Sequence, residues 1–282
     1  MSCSNSKIVT LATQGETSKE IFNEEIPMHY IGNYIFIEAK INGKNYTLLF
    51  DTGYDFTTLD KSLINEINFT PINKQSTTGS SFENEKLQYG VISSISIGDL
   101  AFKNIAVGIQ DLSHVKSPFS DGRRIYGIIG TNILRKALWK IDYQKQSLRF
   151  SNTIENFPPD TNAIKIDMIP KSSSNWGINR IKVTINGISE NFVFDTGSYG
   201  SFSGKNQFLD RLNDTEFSLL EIIDSLDSEK RKFQITELEL DIHKFQNQEL
   251  LIEKDIDLLI GNDFLDEYTV TIDWLNNILY LQ

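Results

Sequence analysis

Two six-residue stretches decide the fold of this chain: LLFDTG at residues 48–53 and FVFDTG at residues 192–197. In each, an apolar run typical of a buried β-strand ends in Asp-Thr-Gly. Asp and Gly are common turn formers, so a single copy would indicate little more than a turn after a strand. Two copies with the same apolar approach indicate instead that both halves of the chain use the motif for one purpose.

The sequence around the two motifs repeats in the same order, at an offset of 144 residues at the motifs and 131 residues in the later segments. The matched segments are Ile-Asn-Gly at residues 41–43 and 185–187, an apolar-apolar-Gly segment at 128–130 and 259–261, and Ile-Asp-aromatic at 141–143 and 272–274. Repeated segments in a fixed order indicate an architecture built from repeated units. We interpret the chain as a duplicated unit in which the loop lengths differ.

The units are predicted to be β-rich. Residues 34–41 alternate in the manner of a strand, and the Asn-Gly pairs at 42–43 and 186–187 are strong hairpin signals. Helical stretches are few and short, and Pro158-Pro159 forbids a continuous helix or central strand between the halves. We therefore predict three regions. They are a flexible N-terminal tail (1–25), an N-terminal lobe (26–157) and a C-terminal lobe (158–282).

The composition excludes several classes of protein. The 282 residues include 27 Lys and Arg against 38 Asp and Glu, for a net charge of −11, which argues against nucleic acid and anionic lipid surfaces as partners. No apolar run reaches the length of a membrane span. One Cys and three His, without ligand spacing, give no basis for a disulfide framework, a metal site or a cofactor. Any chemistry must therefore come from carboxylates, hydroxyls or the backbone.

The chain resembles the aspartic proteases, and within them the bacterial retropepsin-like and pepsin-like enzymes. The resemblance rests on an apolar strand into Asp-Thr-Gly, later met by an apolar-apolar-Gly strand, present twice between residues 26 and 282. It implies an all-β, bilobal fold in which two barrel-like lobes are related by a pseudo-two-fold axis, with the active site between them. Because one chain carries both units, the resemblance also implies a monomer.

The same resemblance implies an aspartic endopeptidase with Asp51 and Asp195 as its catalytic pair and a polypeptide as its substrate. Two close carboxyl groups do not both ionise readily, so one acts as a general base on water while the other donates a hydrogen bond to the scissile carbonyl. No covalent intermediate and no cofactor are expected. Two alternatives stay open at this stage: a peptide-binding protein without catalysis, and an enzyme selective for a single substrate.

Residues beside the aspartates are expected to support them: Thr52, Gly53, Thr196, Gly197 and Ser198, with Gly130 and Gly261 packed beneath the loops. The glycines let the two loops approach each other closely. By resemblance, the threonine hydroxyls reach across the axis to the opposite loop, and Ser198 hydrogen-bonds Asp195. Tyr54 stands where a small residue would match Ser198, so the two aspartates are not expected to have equal surroundings.

A flap is expected to cover the cleft. Its candidate residues are Thr78, Gly79 and Ser80, which have the composition of a hairpin tip, and Tyr89 further along. Pepsin-like enzymes place a tyrosine on the flap, but the context of Tyr89 differs, and a strand or core tyrosine is the alternative.

The N-terminus carries one further signal. Cys3, the only cysteine, is followed by small polar residues, which resembles the start of a mature bacterial lipoprotein. On that interpretation Cys3 is a lipid anchor and the protein belongs to the bacterial cell envelope or is secreted, although this sequence contains no signal peptide. The alternative is an incidental cysteine in a frayed terminus.

Overall fold

The computed structural model describes residues 9–77, 86–171, 176–212, 217–224, 229–254 and 256–282, and most of them lie in strands. The strands are β1 (Glu16–Thr17), β2 (Asn23–Pro27), β3 (His29–Ile31), β4 (Tyr34–Ile41), β5 (Lys44–Phe50), β6 (Thr58–Asp60), β7 (Phe69–Thr77), β8 (Lys86–Ile97), β9 (Leu100–Gln110), β10 (Ile125–Ile129), β11 (Leu138–Asp142), β12 (Ser147–Ser151), β13 (Ile164–Asp167), β14 (Ile169–Pro170), β15 (Asn179–Ile185), β16 (Ile188–Phe194), β17 (Phe202–Gly204), β18 (Phe217–Asp224), β19 (Glu229–Leu240), β20 (His243–Ile252), β21 (Leu259–Ile260), β22 (Thr269–Asp273) and β23 (Ile278–Leu281). The helices are α1 (residues 9–13), α2 (Thr131–Leu134), α3 (Asn206–Leu209) and α4 (Asn262–Leu265), with 3-10 turns at Lys61–Leu63 and Ile154–Asn156. The prediction of an all-β fold with a few short helices is confirmed.

The first lobe contains a closed barrel of six strands. They follow one another in the order β4, β5, β10, β6, β9 and β8, and β8 pairs back to β4. Strands β5 and β10 are parallel, as are β6 and β9, and the other pairs in the ring are antiparallel. The parallel pair β5 and β10 brings the carboxyl ends of both strands to one end of the barrel, where the first Asp-Thr-Gly begins.

The second lobe has the same topology. Its ring runs β15, β16, β21, β17, β20 and β19, and β15 pairs with β19 to close it. The parallel pairs are again the equivalent ones, β16 with β21 and β17 with β20. The two Asp-Thr-Gly segments therefore leave matching positions in two matching barrels, as expected for a bilobal fold with a pseudo-two-fold axis.

A third sheet joins the lobes. Its strand order is β13, β23, β22, β11, β12 and β2, and the central pair β11 and β22 crosses from one half of the chain to the other. Asp142 and Asp273 end the two equivalent strands β11 and β22, and both carboxylates accept backbone N–H bonds from the turn that follows. This sheet holds the two barrels in a fixed relation, which a site built from both of them requires.

The Asn-Gly pairs form the predicted hairpin turns. Asn42 and Gly43 have φ angles of 49° and 82°, and Asn186 and Gly187 have 52° and 75°. Positive φ at both central residues is the geometry of a type I′ turn, whose twist matches that of the flanking strands. These turns fix the register of β4 with β5 and of β15 with β16, and hence the positions of the loops that follow.

The N-terminal region differs from the predicted tail. Residues 9–25 lie against the first lobe: β1 pairs with β9, β2 pairs with β12, and Ala12 and Phe22 are buried. Because the segment is mostly polar, its sequence did not indicate that Ala12 and Phe22 are buried against the lobe. Helix α2 ends at Leu134, and Trp139 already lies in β11, where it stacks on Phe150. None of the described helices has the length and apolar character needed to cross a membrane.

Candidate active site

Asp51 and Asp195 lie at equivalent ends of β5 and β16. The phenylalanine that precedes each, Phe50 or Phe194, is fully buried and anchors the strand in its barrel. The backbone N–H of Asp51 donates to the carbonyl oxygen of Ile129 at 3.1 Å, and that of Asp195 to Ile260 at 2.9 Å. Each loop is thus tied to the parallel strand beside it at the point where the apolar-apolar-Gly segment ends.

The two carboxyl groups come together across the pseudo-two-fold axis. The Cα of Gly53 packs against the carboxyl group of Asp195, and the Cα of Gly197 packs against that of Asp51, so closely that a Cβ at either glycine would overlap the carboxyl group. Each glycine N–H also donates to Oδ1 of the aspartate in its own loop, at 2.8 Å in both cases. Both glycines therefore occupy positions that no residue with a side chain could take without moving an aspartate.

The threonines bind the two loops to each other. The Thr52 hydroxyl donates to the carbonyl oxygen of Phe194 at 2.9 Å and accepts from the N–H of Thr196 at 3.0 Å. The Thr196 hydroxyl donates to Phe50 at 2.9 Å and accepts from the N–H of Thr52 at 3.1 Å. Both side chains are fully buried. The four bonds form a symmetric lock that fixes the distance between the loops.

Gly130 and Gly261 lie directly beneath the loops. A Cβ at Gly130 would overlap the carbonyl oxygen of Tyr54, and one at Gly261 would overlap the carbonyl oxygen of Ser198. The residue after each glycine begins a short helix and donates its N–H to that same carbonyl, at 2.8 Å in the first lobe and 2.9 Å in the second. The absence of a side chain allows this close backbone contact.

The residues after the two glycines differ. Ser198 is buried, but its hydrogen bond within the loop is made by its backbone N–H, which donates to the carbonyl oxygen of Asp195. Across the described residues, the Ser198 hydroxyl makes no hydrogen bond to the Asp195 carboxylate, so the structure does not bring these two side chains together as expected. Tyr54 has a buried hydroxyl and a pKa of about 12, raised chiefly by desolvation and also by the charge of Asp51.

The electrostatic environment distinguishes the two aspartates. Burial raises the pKa of Asp51 well above its usual range, and the neighbouring charge of Asp195 raises it further. Burial also raises the pKa of Asp195, although its side chain is partly exposed. Hydrogen bonds from the Gly197 N–H, from the Asp51 carboxyl and from the Gly53 N–H act in the opposite direction. Burial and the closeness of the two carboxyl groups therefore raise the pKa of both aspartates, and the pair shares a single proton.

The first-lobe wall beside Asp51 is aromatic. Phe56 packs edge-to-face on Tyr89 with ring centroids 5.1 Å apart, and also contacts Trp176, which comes from the second half of the chain. Tyr89 lies in β8, within the hairpin formed by β7 and β8, and packs in this cluster together with Leu11 of α1. Tyr89 is thus a strand tyrosine in the wall at the base of the hairpin. The proposed flap residues Thr78, Gly79 and Ser80 lie outside the described residues, as does Cys3.

The second-lobe wall is more polar. Lys230, in the hairpin formed by β18 and β19, lies over the ring of Tyr199 at 5.8 Å and forms an ion pair with Glu253 at 3.0 Å. Tyr199 packs against Tyr34 from the first lobe, with ring centroids 6.4 Å apart. Burial raises the pKa of Tyr34, and the charges of Asp195 and Asp51 contribute to the same effect. These residues therefore lie within electrostatic reach of the aspartate pair.

Sequence reasoning missed Asn262, which links the lobes below the site. Its amide nitrogen donates to the carbonyl oxygens of Asn33 and Thr196, each at 2.7 Å, and its Oδ1 accepts from the Tyr143 hydroxyl at 2.8 Å. The sequence feature that could have indicated Asn262 is its position directly after Gly261, within one of the repeated segments. Within the described ranges, no three His, Cys, Asp or Glu side chains are grouped to hold a metal ion.

Comparison with known families agrees with this geometry. Residues 37–133 match the sequence model of the family described as aspartyl protease. The match begins in β4 and ends in α2, so it includes Asp51 and Gly130 and covers about a third of the chain. No curated protein sequence matches the chain. The match, on a chain with the all-β two-lobed fold, supports an aspartic protease and hence a peptidase.

Proposed function

We propose that the protein is an aspartic endopeptidase in which Asp51 and Asp195 together activate water. The observation that carries the proposal is the mutual packing of each aspartate against the glycine of the opposite loop. This arrangement requires two buried acidic side chains to face one another, which is unfavourable for stability alone. A pair of carboxyl groups held in this way has a direct use in general acid-base catalysis.

In the proposed mechanism, Asp195 is the general base and Asp51 the hydrogen-bond donor. A water molecule between the carboxyl groups gives a proton to Asp195 while its oxygen attacks the scissile carbonyl carbon. The Asp51 proton moves to the carbonyl oxygen, so the product of this step is a neutral gem-diol. As the C–N bond breaks, one diol hydroxyl returns a proton to Asp51 and Asp195 protonates the leaving amine. The pair regains its starting protonation state without a covalent intermediate.

The substrate we propose is a polypeptide in extended conformation. The site lies between two lobes whose hairpins, β7 with β8 and β18 with β19, occupy equivalent places. An extended peptide can satisfy its own backbone groups there by pairing as an added strand. Because one chain supplies both aspartates, we propose that the protein acts as a monomer.

Mass spectrometry of a diverse peptide library tests this function. The purified protein is incubated with the library from pH 3 to 8, beside the Asp51→Asn and Asp195→Asn variants. We expect internal cleavage by the wild type and a loss of at least about 100-fold in each variant, because each removes one half of the acid-base pair. Cleavage that survives either substitution would come from another protease.

A failure to cleave would point to the alternatives. An Asp51→Asn bait that captures a peptide which the wild type leaves intact would identify a binding protein on the same fold. A captured protein that the wild type cuts at one position would identify an enzyme with a single substrate.

A further inference from the structure

Gln110, the last residue of β9, has a buried side chain without hydrogen bonds. The residue is 3% exposed, and neither its Nε2 nor its Oε1 has a partner among the residues that the structure describes. A primary amide offers two donors and an acceptor with two lone pairs, and leaving such groups unpaired in a protein interior is costly. Buried polar groups in native proteins are nearly always paired, so this side chain calls for an explanation.

The amide faces away from the core of the first barrel. Alternate residues of a strand line opposite faces, and Val107 and Ile109 belong to the barrel core. Ala106, on the other face, packs with Phe56 in the aromatic wall beside Asp51. Gln110 is four residues from Ala106 and therefore shares its face.

This face continues to the aspartate pair. Strand β6 runs parallel to β9, with Thr58 opposite Gly108 and Asp60 opposite Gln110. The Tyr54 hydroxyl is also buried. The Thr58 side chain is a weak hydrogen-bond partner outside standard hydrogen-bond geometry, and the charge of Asp51 acts on the same hydroxyl. Tyr54 and Thr58 thus lie between Asp51 and Gly108, which is two residues before Gln110.

The hairpin strand β8 lies beside β9 in the same sheet and adds Leu87 to this face. Tyr89 pairs with Gly108, and the register continued by two positions places Leu87 opposite Gln110. Leu87 is buried over Gly108, where a Cβ would overlap its side chain. The apolar side chain that covers β9 at Gly108, two residues before Gln110, is therefore part of the hairpin.

We propose that Gln110 and Tyr54 form a subsite for a primary carboxamide, the side chain of Asn or Gln in the substrate. The Gln110 subsite comprises Gln110, Tyr54 and Thr58 below and Leu87 above, and a substrate side chain enters as Leu87 shifts with the hairpin. The proposal rests on the proposed peptidase function and adds a side-chain preference to it.

The chemistry of the subsite selects a carboxamide over other side chains. Two primary amides pair through two hydrogen bonds, each giving one donor and one acceptor, and so satisfy both orphaned atoms of Gln110 at once. A carboxylate would accept from Nε2 but leave Oε1 unpaired, and it would bring a negative charge near the aspartates. An apolar side chain of equal size would leave both atoms unpaired, which a site built for hydrogen bonding rejects strongly.

Matched peptides test the subsite. One peptide cleaved by the wild type is varied at each position around the scissile bond among Gln, Asn, Met, Leu and Glu. At one position we expect kcat/KM for Gln or Asn to exceed that for Met or Glu by about 10-fold to 100-fold. In Gln110→Leu this ratio is expected to fall to near one while kcat/KM for the Met peptide rises. Tyr54→Phe is expected to reduce the ratio less.

Gln88→Leu is the matched control, since Gln88 lies on the neighbouring strand opposite Ile109 and thus on the other face. It is expected to keep the wild-type preference. If the wild type shows no carboxamide preference, or if Gln110→Leu lowers cleavage of all peptides equally, the amide has a structural role and the proposal is overturned.

A binding measurement separates this proposal from the proposed activity. If the wild type cleaves nothing, peptides retained from a randomised library are identified by mass spectrometry. Enrichment of Asn or Gln that disappears in Gln110→Leu would support the subsite and reject the peptidase function. The lack of such enrichment would overturn the subsite as well.

Discussion

The two halves of the site are nearly identical at the aspartates and different a few residues away. Equivalent bonds in the two loops agree within 0.2 Å, from the strand contacts of the aspartates to the threonine lock. Beyond the glycines, Tyr54 begins an aromatic wall in the first lobe, whereas Ser198 and Tyr199 lead to the Lys230 ion pair in the second. The loops that carry the aspartates and the walls beyond them are therefore subject to different requirements.

The difference follows from what each region must do. The aspartates act together on one bond, so both loops must meet the same geometric demands, and a change in either displaces a carboxyl group. The walls meet different side chains of a substrate that has a direction, so they gain nothing from being alike. Substitutions in the loops should then have paired effects, whereas substitutions in the walls should not.

The largest effect is expected from the loop glycines. Gly53→Ala and Gly197→Ala each place a methyl group where the opposite carboxyl group lies, so one aspartate must move. A displacement of about 1 Å in a catalytic group costs on the order of 100-fold in rate. We expect both variants to lose at least that much in kcat, measured on any peptide that the wild type cleaves.

Gly200→Ala is the control for this pair, because its added Cβ would meet only the Ser203 hydroxyl, at 3.3 Å. It is expected to stay within a few-fold of the wild type. A large loss in one of the loop variants, with the other unaffected, would show that the two loops do not contribute equally.

The next largest effect is expected from substitutions in the threonine lock, again in both halves of the site. Thr52→Val leaves the carbonyl of Phe194 and the N–H of Thr196 buried without partners, and Thr196→Val does the same to Phe50 and Thr52. Each variant is expected to lower the free energy of unfolding by about 1–3 kcal/mol, as measured by urea denaturation. The Thr→Ser variants keep the hydroxyl and should lose less. A loss confined to one of the Val variants would contradict the symmetric lock.

The loops and the walls also differ in how much of each could be predicted from the sequence. The motifs that repeat are the ones whose geometry is duplicated: the Asn-Gly pairs predicted the hairpin turns, and the family resemblance carried by the repeated motifs implied the bilobal fold and the positions of Gly130 and Gly261. Asn262 was missed although it directly follows a predicted residue. Its role depends on Asn33 and Tyr143, which are remote in sequence and become neighbours only when the lobes pack.

The walls could not be predicted because they are not repeated. Nothing in the local sequence indicates that Leu11 and Ala12 pack near Phe56, which is remote from them in the chain. The expected Ser198 bond to Asp195 failed for a related reason. Its hydroxyl lies close to Gly261, a neighbour that is remote from the motif in the sequence.

The smallest expected effect is on the melting temperature, and its size should differ between the two aspartates. Asp51→Asn is expected to raise the melting temperature at neutral pH. Burial and the charge of Asp195 raise the pKa of Asp51, so above about pH 3.9 the unfolded chain has released a proton that the folded chain retains. The free energy of unfolding of the wild type therefore falls as the pH rises towards the folded pKa of Asp51, and an asparagine carries no such dependence.

Asp195→Asn should show the same trend to a smaller degree, because the Gly197 and Gly53 N–H groups and the Asp51 carboxyl stabilise the charged form of Asp195. Melting curves from pH 3 to 8 measure both variants, and one kcal/mol corresponds to about 2–4 °C in a chain of this size. The two differences from the wild type should be smallest at pH 3 and grow with pH, with Asp51→Asn above Asp195→Asn. The opposite ranking would place the shared proton on Asp195 and exchange the two roles in the proposed mechanism.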